Sequence, residues 1–323
     1  MRLTKGGCTA FEYHRVAPGD LDAVAKILQS LGTRAVIIST PTNVHVPLAL
    51  TALTAGCFVA IEKPIASNVD DVARMDRWIA GNGTKRIFVF GYYLLEKALP
   101  LLALRLAGNL PDLHLSLMNG PDRATWAAVR HRLGAPRMMR ARLLEGPDYR
   151  FWPLTHEAGG HTLETLSHLV ALAVSWFSDL NLLESRLGRY EGLSADTAES
   201  ASVAVYEAEQ GATVELTAVK FVDRTFCQRR AEIVFDHGIA EMDMDAKRLM
   251  VSCTGNVTLD VSMKDSDSYS PQFRLLCERL DKPTDSIEYE ISRTATLLSL
   301  QLREASLKHG IESYSSQGMN IPA

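Results

Sequence analysis

Apolar and polar positions follow two rhythms along this chain, and the change falls near residue 137. In the first third, short unbroken apolar runs alternate with stretches whose apolar residues recur three and four apart. The runs Arg34–Ser39, Phe58–Ile61 and Ile87–Phe90 predict strands buried on both faces, as in a parallel sheet. Between them, Leu21–Leu31, Val46–Ala55 and Val69–Ala80 carry helical spacing. Asp20 is placed to cap the first of these helices and Gly56 to end the second. Strand–helix alternation at this pitch predicts βαβ units and a parallel sheet, the usual architecture of nucleotide binding but shared by many α/β folds.

From about Arg137 the segments lengthen. Met138–Leu144, Ser202–Glu207, Thr213–Phe221, Ala231–Phe235 and Val257–Val261 read as strands with partial alternation, joined by turns at Asp236-His237-Gly238 and Gly255-Asn256. A mostly antiparallel sheet is expected, hence a second unit of α+β type. One helix over Gly160–Phe177 precedes the later strands, and two more, Gln272–Leu280 and Ile287–His309, close the chain. Residues 109–136 fit neither rhythm and read as an insertion or a linker helix. The expected division is an α/β unit over 1–120 and an α+β unit over 121–323, with the closing helices returning to the first unit.

Composition narrows the function. With 46% hydrophobic and 22% charged residues, the 323-residue chain is ordinary globular material. A net charge of −4 provides no basic field for nucleic acid or an anionic membrane surface. Five scattered cysteines without a CxxC pair suggest thiols in a reducing compartment rather than a disulfide or zinc framework. The N-terminus lacks the apolar core of a secretion signal. The most apolar stretch, Leu163–Phe177, is broken by Glu164 and His168 and is too short to span a bilayer. A cytoplasmic protein is expected, with neither nucleic acid nor membrane as partner.

Three segments carry candidate chemistry. Ser39-Thr40-Pro41-Thr42-Asn43-Val44-His45 follows a buried strand, where open α/β sheets bind ligands; alone it also reads as a routine turn with Asn43 capping the next helix. Glu62-Lys63-Pro64 ends the next strand, so Lys63 is placed to polarise a carbonyl or shuttle a proton, or else to form a surface ion pair with Glu62. In Gly159-Gly160-His161-Thr162-Leu163-Glu164-Thr165-Leu166-Ser167-His168, Glu164 and His168 lie four apart on one helix face. A carboxylate that fixes the imidazole tautomer leaves the other ring nitrogen free for proton transfer. The alternative is a plain helix-face ion pair. No metal site is expected, because His161 and His168 lie about 10 Å apart along a helix axis.

Together these segments resemble the Gfo/Idh/MocA family of oxidoreductases. Ser39–His45 is similar to the family's loop after the fourth strand, Ala55-Gly56-Cys57-Phe58-Val59-Ala60-Ile61-Glu62-Lys63-Pro64 to its AGxHVxxEKP signature, and Gly159–His168 to its GGxxxDxxxH helix. The resemblance spans about residues 11–310. It implies a Rossmann-type parallel sheet followed by an α+β domain with a large open sheet, which serves the family as an oligomer interface in homodimers or homotetramers. It implies NAD or NADP as cofactor, with Thr40, Pro41, Asn43, His45, Glu62 and Lys63 lining the nicotinamide ribose. Lys63 would be the catalytic lysine and His168 the acid/base. Glu164 would stand where the family most often has aspartate, to orient that histidine or contact substrate. Hydride would pass between nicotinamide and a secondary alcohol of a sugar, sugar phosphate or cyclitol. Gly91-Tyr92-Tyr93-Leu94-Leu95-Glu96-Lys97 is also similar to a phosphate and substrate segment of glucose-6-phosphate dehydrogenases.

The family opens with a strand and a GxGxxG turn whose helix N-terminus binds pyrophosphate. Gly6-Gly7 precedes no such helix and Gly81-Asn82-Gly83 lacks the third glycine. The expected sheet is therefore incomplete, lacking its first βα units and leaving the strand that ends at Ser39 as an edge. Two lost hydrogen bonds to pyrophosphate cost about 3–6 kcal/mol, so weak dinucleotide binding is expected of this chain. The alternative function is a shortened homologue that keeps the fold for binding or assembly without catalysis.

Overall fold

The apolar runs of the first third form a three-stranded parallel sheet, ordered β1-β2-β3, in the computed structural model. It describes residues 16–17, 19–146, 155, 159–191, 193, 198–254, 256–264 and 269–314. The Gly6-Gly7 pair, Cys8 and Gly255 lie outside the described residues. Strands β1 (Ala35–Ile38), β2 (Phe58–Glu62) and β3 (Ile87–Phe90) alternate with helices α1 (Leu21–Ser30), α2 (His45–Thr54) and α3 (Val69–Asn82). Asp20 caps α1 by accepting the Ala23 N–H at 2.9 Å. Past the end of α2, Gly56 takes φ +89°, a left-handed turn that costs glycine little.

β2 and β3 are buried because both faces of the sheet are covered. Val59, Ile61 and Val89 pack under α2 and α3, while Phe58, Phe88 and Phe90 join the larger core beyond. β1 is an edge strand, and its Ile37 is 52% exposed.

A π-helical turn (Tyr92–Lys97) follows β3 and leads to α4 (Leu99–Arg105), α5 (Asp112–Ser116), β4 (Met118–Asn119) and α6 (Arg123–Leu133). Residues 109–136 are thus not one linker helix. They are packed elements anchored by Trp126, which is fully buried. Gly108 makes that approach possible: at φ +73°, a Cβ there would lie 2.9 Å from Trp126 Cβ.

The remaining strands are β5 (Pro136–Leu144), β6 (Leu180–Tyr190), β7 (Ala201–Ala208), β8 (Thr213–Val219), β9 (Gln228–Phe235), β10 (Gly238–Asp243), β11 (Arg248–Cys253), β12 (Asn256–Met263) and β13 (Glu312–Tyr314). With β4 they form a ten-stranded sheet, ordered β13-β6-β7-β8-β5-β9-β10-β11-β12-β4. Among the described strands of this sheet, only β5–β8 and β13–β6 pair parallel, so it is mostly antiparallel as expected. One face sends Met139, Leu143, Leu216 and Ile233 into the core against α7 (Ser167–Val174). The other face is open and polar. It carries cross-strand pairs such as Arg140–Glu215 at 2.8 Å and Arg248–Asp260, each exposed and worth little in stability.

Helices α8 (Ser270–Asp281) and α9 (Ile287–Leu307) close the described chain. α9 returns to the parallel sheet. Tyr289 is buried in that sheet's own core, and Arg293 grips Asp76 of α3 through two bonds of 2.6 Å. Among the described residues, no helix is long and apolar enough to cross a membrane.

Candidate active site

Strand β2 delivers Glu62, Lys63 and Pro64 to its carboxyl end, with a cis peptide bond between Lys63 and Pro64. The loop after β1 lies beside it. His45, at the first position of α2 and 1% exposed, ties the two loops together: Nδ1 meets the Pro64 carbonyl at 2.9 Å and Nε2 the Thr40 carbonyl at 2.8 Å. A neutral imidazole donates to only one of these at a time. Burial pushes the ring below its ordinary value, against the pull of the two carbonyls. The ring nitrogens of His45 thus brace the backbone of both loops. Thr40, Pro41 and Asn43 are exposed on the same loop and remain accessible. Asn43 does not cap α2, which starts from Val44 without a side-chain cap.

The facing wall is the helix that begins at Gly160. Its winding is not uniform: Thr162–Leu166 form a π-helical turn before α7 continues. Wider π turns interrupt the regular ladder and often occur at functional sites. Here Lys63 Nζ donates to the Glu164 carbonyl at 2.6 Å and to Glu164 Oε2 at 2.9 Å. Main chain and side chain of one residue thus fix the ammonium group. Lys63 and Glu164 side chains are only 16% and 21% exposed, so the pair is partly shielded from water. The expected alternative for Lys63, a surface pair with Glu62, is not what forms. Burial pushes the half-buried Glu62 carboxyl above its ordinary value; Lys63 opposes the shift and Glu164 reinforces it.

His168 follows on α7 and is 8% exposed. Burial, and then the positive charges of Lys63, Lys220, Lys97 and Arg229, hold its imidazole well below the ordinary value, so the ring is neutral. Lys63, Pro64, Gly91, Ser167, His168 and Glu288 meet around a cavity of about 20 Å³, room for one water molecule. The structure therefore brings Lys63, Glu164 and His168 together, with the Thr40–Asn43 loop alongside.

Sequence reasoning missed the contribution of α9. Glu288, Ser292 and Thr296 line the same cavity, yet in sequence Glu288 looks like a routine acidic residue in a helix first turn. It also missed a charged cluster: Lys220, 3% exposed, and Arg229 share Glu145 at 3.4 and 3.1 Å, while Arg229 also meets Asp245 at 2.8 Å. A lysine at the end of the apolar strand β8 was the available signal. Among the described residues, no group of three or more His, Cys, Asp or Glu side chains could hold a metal ion.

The buried histidines give the fold a pH dependence. His161, 0% exposed, is held well below 6.5 by burial and by Lys220 and Lys63, and His45 and His168 are lowered as well. The unfolded chain takes up protons near 6.5 and the folded chain does not. Their contribution is present above that value and is lost as pH falls below it. The melting temperature should be flat above about pH 7 and fall toward about pH 5. A flat profile to pH 5 would show that these rings protonate in place.

A lysine at the end of a parallel strand thus faces a buried neutral histidine on a helix packed against the open sheet. Over residues 9–90 the chain matches the Gfo/Idh/MocA oxidoreductase family, described by its NAD-binding Rossmann fold. The fold is shared with a UDP-N-acetylglucosamine 3-dehydrogenase from Acidithiobacillus ferrooxidans, at 20% identity and a TM-score of 0.63, covering 91% of this chain and 84% of that one. It is shared with an NAD-binding oxidoreductase from Klebsiella pneumoniae, at 15% identity and a TM-score of 0.70, covering 90% and 81%. A levoglucosan dehydrogenase in complex with NADH and levoglucosan matches at 13% identity and a TM-score of 0.70, covering 88% and 81%. No curated protein matches the chain.

Proposed function

We propose that this protein is an NAD(P)-dependent dehydrogenase acting on a secondary alcohol of a sugar, sugar phosphate or cyclitol. The observation that carries this reading is the Lys63 ammonium, fixed by Glu164 beside the cavity that the neutral His168 lines. The named substrates of two similar folds, UDP-N-acetylglucosamine and levoglucosan, support the sugar class. The residues present fit the nicotinamide end of a dinucleotide. Thr40 and Asn43 offer a hydroxyl and an amide at the carboxyl end of a parallel strand, where such ligands bind. Bound nicotinamide would supply a two-electron acceptor for the hydride.

His168 takes the hydroxyl proton of the substrate, and the Lys63 ammonium stabilises the negative charge that develops on that oxygen. Oxidation thus removes the carbinol hydrogen as hydride and the hydroxyl hydrogen as a proton, leaving a ketone. In reduction His168, once protonated, returns its proton. Glu164 keeps the Lys63 ammonium aimed. The same reading divides the chain near residue 120 and lets two or four copies associate through the open face of the ten-stranded sheet, in the cytoplasm.

The test is turnover of a panel of sugars, sugar phosphates and cyclitols with both dinucleotides, followed by nicotinamide absorbance, beside calorimetric titration of each dinucleotide. Absence of turnover and of binding would favour the binding or assembly role. Glu164→Gln should reduce kcat by about tenfold and leave KM little changed, because the Glu164 carbonyl still anchors Lys63. Its acid limb should move to lower pH, since Lys63 then bears on His168 without a counter-charge. An unaltered pH–rate curve would remove Glu164 from the mechanism.

A further inference from the structure

One buried carboxylate outside the Lys63–Glu164–His168 group has no role in the steps above. Glu199, just before β7, is 0% exposed. Its Oε1 accepts the Thr162 N–H at 3.0 Å and faces Arg303 Nε of α9 at 3.5 Å. A Cβ on Gly160 would lie 2.6 Å from each Glu199 oxygen, so glycine is what permits this approach. The same helix start is fastened to β7 a second time. Ser202 Oγ meets Thr162 Oγ1 at 3.0 Å and His161 Nδ1 at 3.3 Å.

These contacts converge on the first residues of one helix. Thr162 opens the π turn that contains Glu164, and α7 continues from it to His168. A carboxylate at a helix N-terminus is favoured by the exposed N–H groups and the helix dipole. Glu199 thus holds the start of the helix, Ser202 holds the same start from β7, and Arg303 joins Glu199 to α9, which lines the cavity. Displacements of about 1 Å at a catalytic group cost up to about a hundredfold in rate.

We propose that Glu199 is a positioning residue, which sets the placement of Glu164 and His168 against Lys63 through the Thr162 amide and Arg303. The inference rests on the dehydrogenase reading for its kinetic consequence, although not for its structural one. The experiment uses the full chain with Glu199→Gln, similar in size but uncharged and with one acceptor replaced by a donor. In this variant kcat should fall by about tenfold with KM within about twofold. The imidazole nitrogen resonances of His168, assigned by His168→Gln, should shift while core methyl resonances stay in place.

A folded Glu199→Gln protein with unchanged His168 resonances and unchanged kcat would overturn the proposal. If that variant does not fold, Arg303→Gln replaces it, with a smaller shift in the same direction expected and its absence again decisive. If the wild-type chain turns over no sugar, the dehydrogenase reading fails, and the His168 resonances still decide whether Glu199 positions the helix.

Discussion

Lys63→Ala is expected to lower kcat by about a hundredfold or more, within the range for removing a positioned proton-transfer or charge-stabilising group. Two bonds from Glu164, at 2.6 and 2.9 Å, hold the ammonium group in a partly buried position where water screens little of its charge. A methyl group there leaves the developing alkoxide without its cation and the Glu164 carboxylate without its partner. His168→Ala should cost at least as much, because it removes the proton acceptor itself. Folding should survive both changes, as judged by circular dichroism and melting. Near-normal kcat in both variants would place the chemistry elsewhere in the molecule.

Glu288→Ala should produce the largest loss of stability among polar substitutions near the site, about 3–5 kcal/mol. Glu288 is 1% exposed, receives Arg279 Nη2 at 2.8 Å and the Ser286 hydroxyl at 3.1 Å, and lies 3.5 Å from His114 Nε2. Burial pushes this carboxyl up, but His114 and Arg279 outweigh it and hold it below its ordinary value. Its removal leaves a guanidinium that is 7% exposed facing an empty pocket. Denaturant unfolding provides the measurement. A loss under about 1 kcal/mol would mean that water or another carboxylate replaces Glu288 at small cost. Because Glu288 also lines the cavity at Lys63 and His168, activity should fall in the folded fraction as well.

What the sequence made legible was what depends on local pattern. The fully apolar runs of β2 and β3, the Asp20 cap and the Gly56 stop each reflect neighbours in the chain. They specified the parallel unit closely. Strands β6, β10 and β11 escaped for equally local reasons. A register shift between Leu182 and Glu184 breaks the alternation of β6 and leaves Leu183 63% exposed. β10 and β11 are six-residue strands that mix charges with apolar residues, so neither period dominates.

At the site, Lys63, Glu164 and His168 could be picked out by spacing and resemblance, but not their partners. Helical arithmetic placed Glu164 on the face of His168 but could not show that the π turn offers it to a lysine on another element. The brace that His45 forms was not legible, because its two carbonyl partners, at Thr40 and Pro64, become neighbours only after folding. Glu199 and Glu288 are read as ordinary acidic positions until the helices they hold are in place.

The π turn at Thr162–Leu166 also bears on how this helix tolerates changes in length. Each residue of a helix turns the ones beyond it by about 100°. A wide turn holds one residue more than a regular turn, so it takes up that residue without rotating the helix beyond it. Removing Thr165 would let the segment rewind as a regular helix with His168 close to its present direction. Removing Ser167, in the regular helix, would instead swing His168 by about 100° relative to the Gly160 end. The wide turn is thus where this helix absorbs a change of one in its count of residues, and the turn beyond it is where the same change would disarm the site.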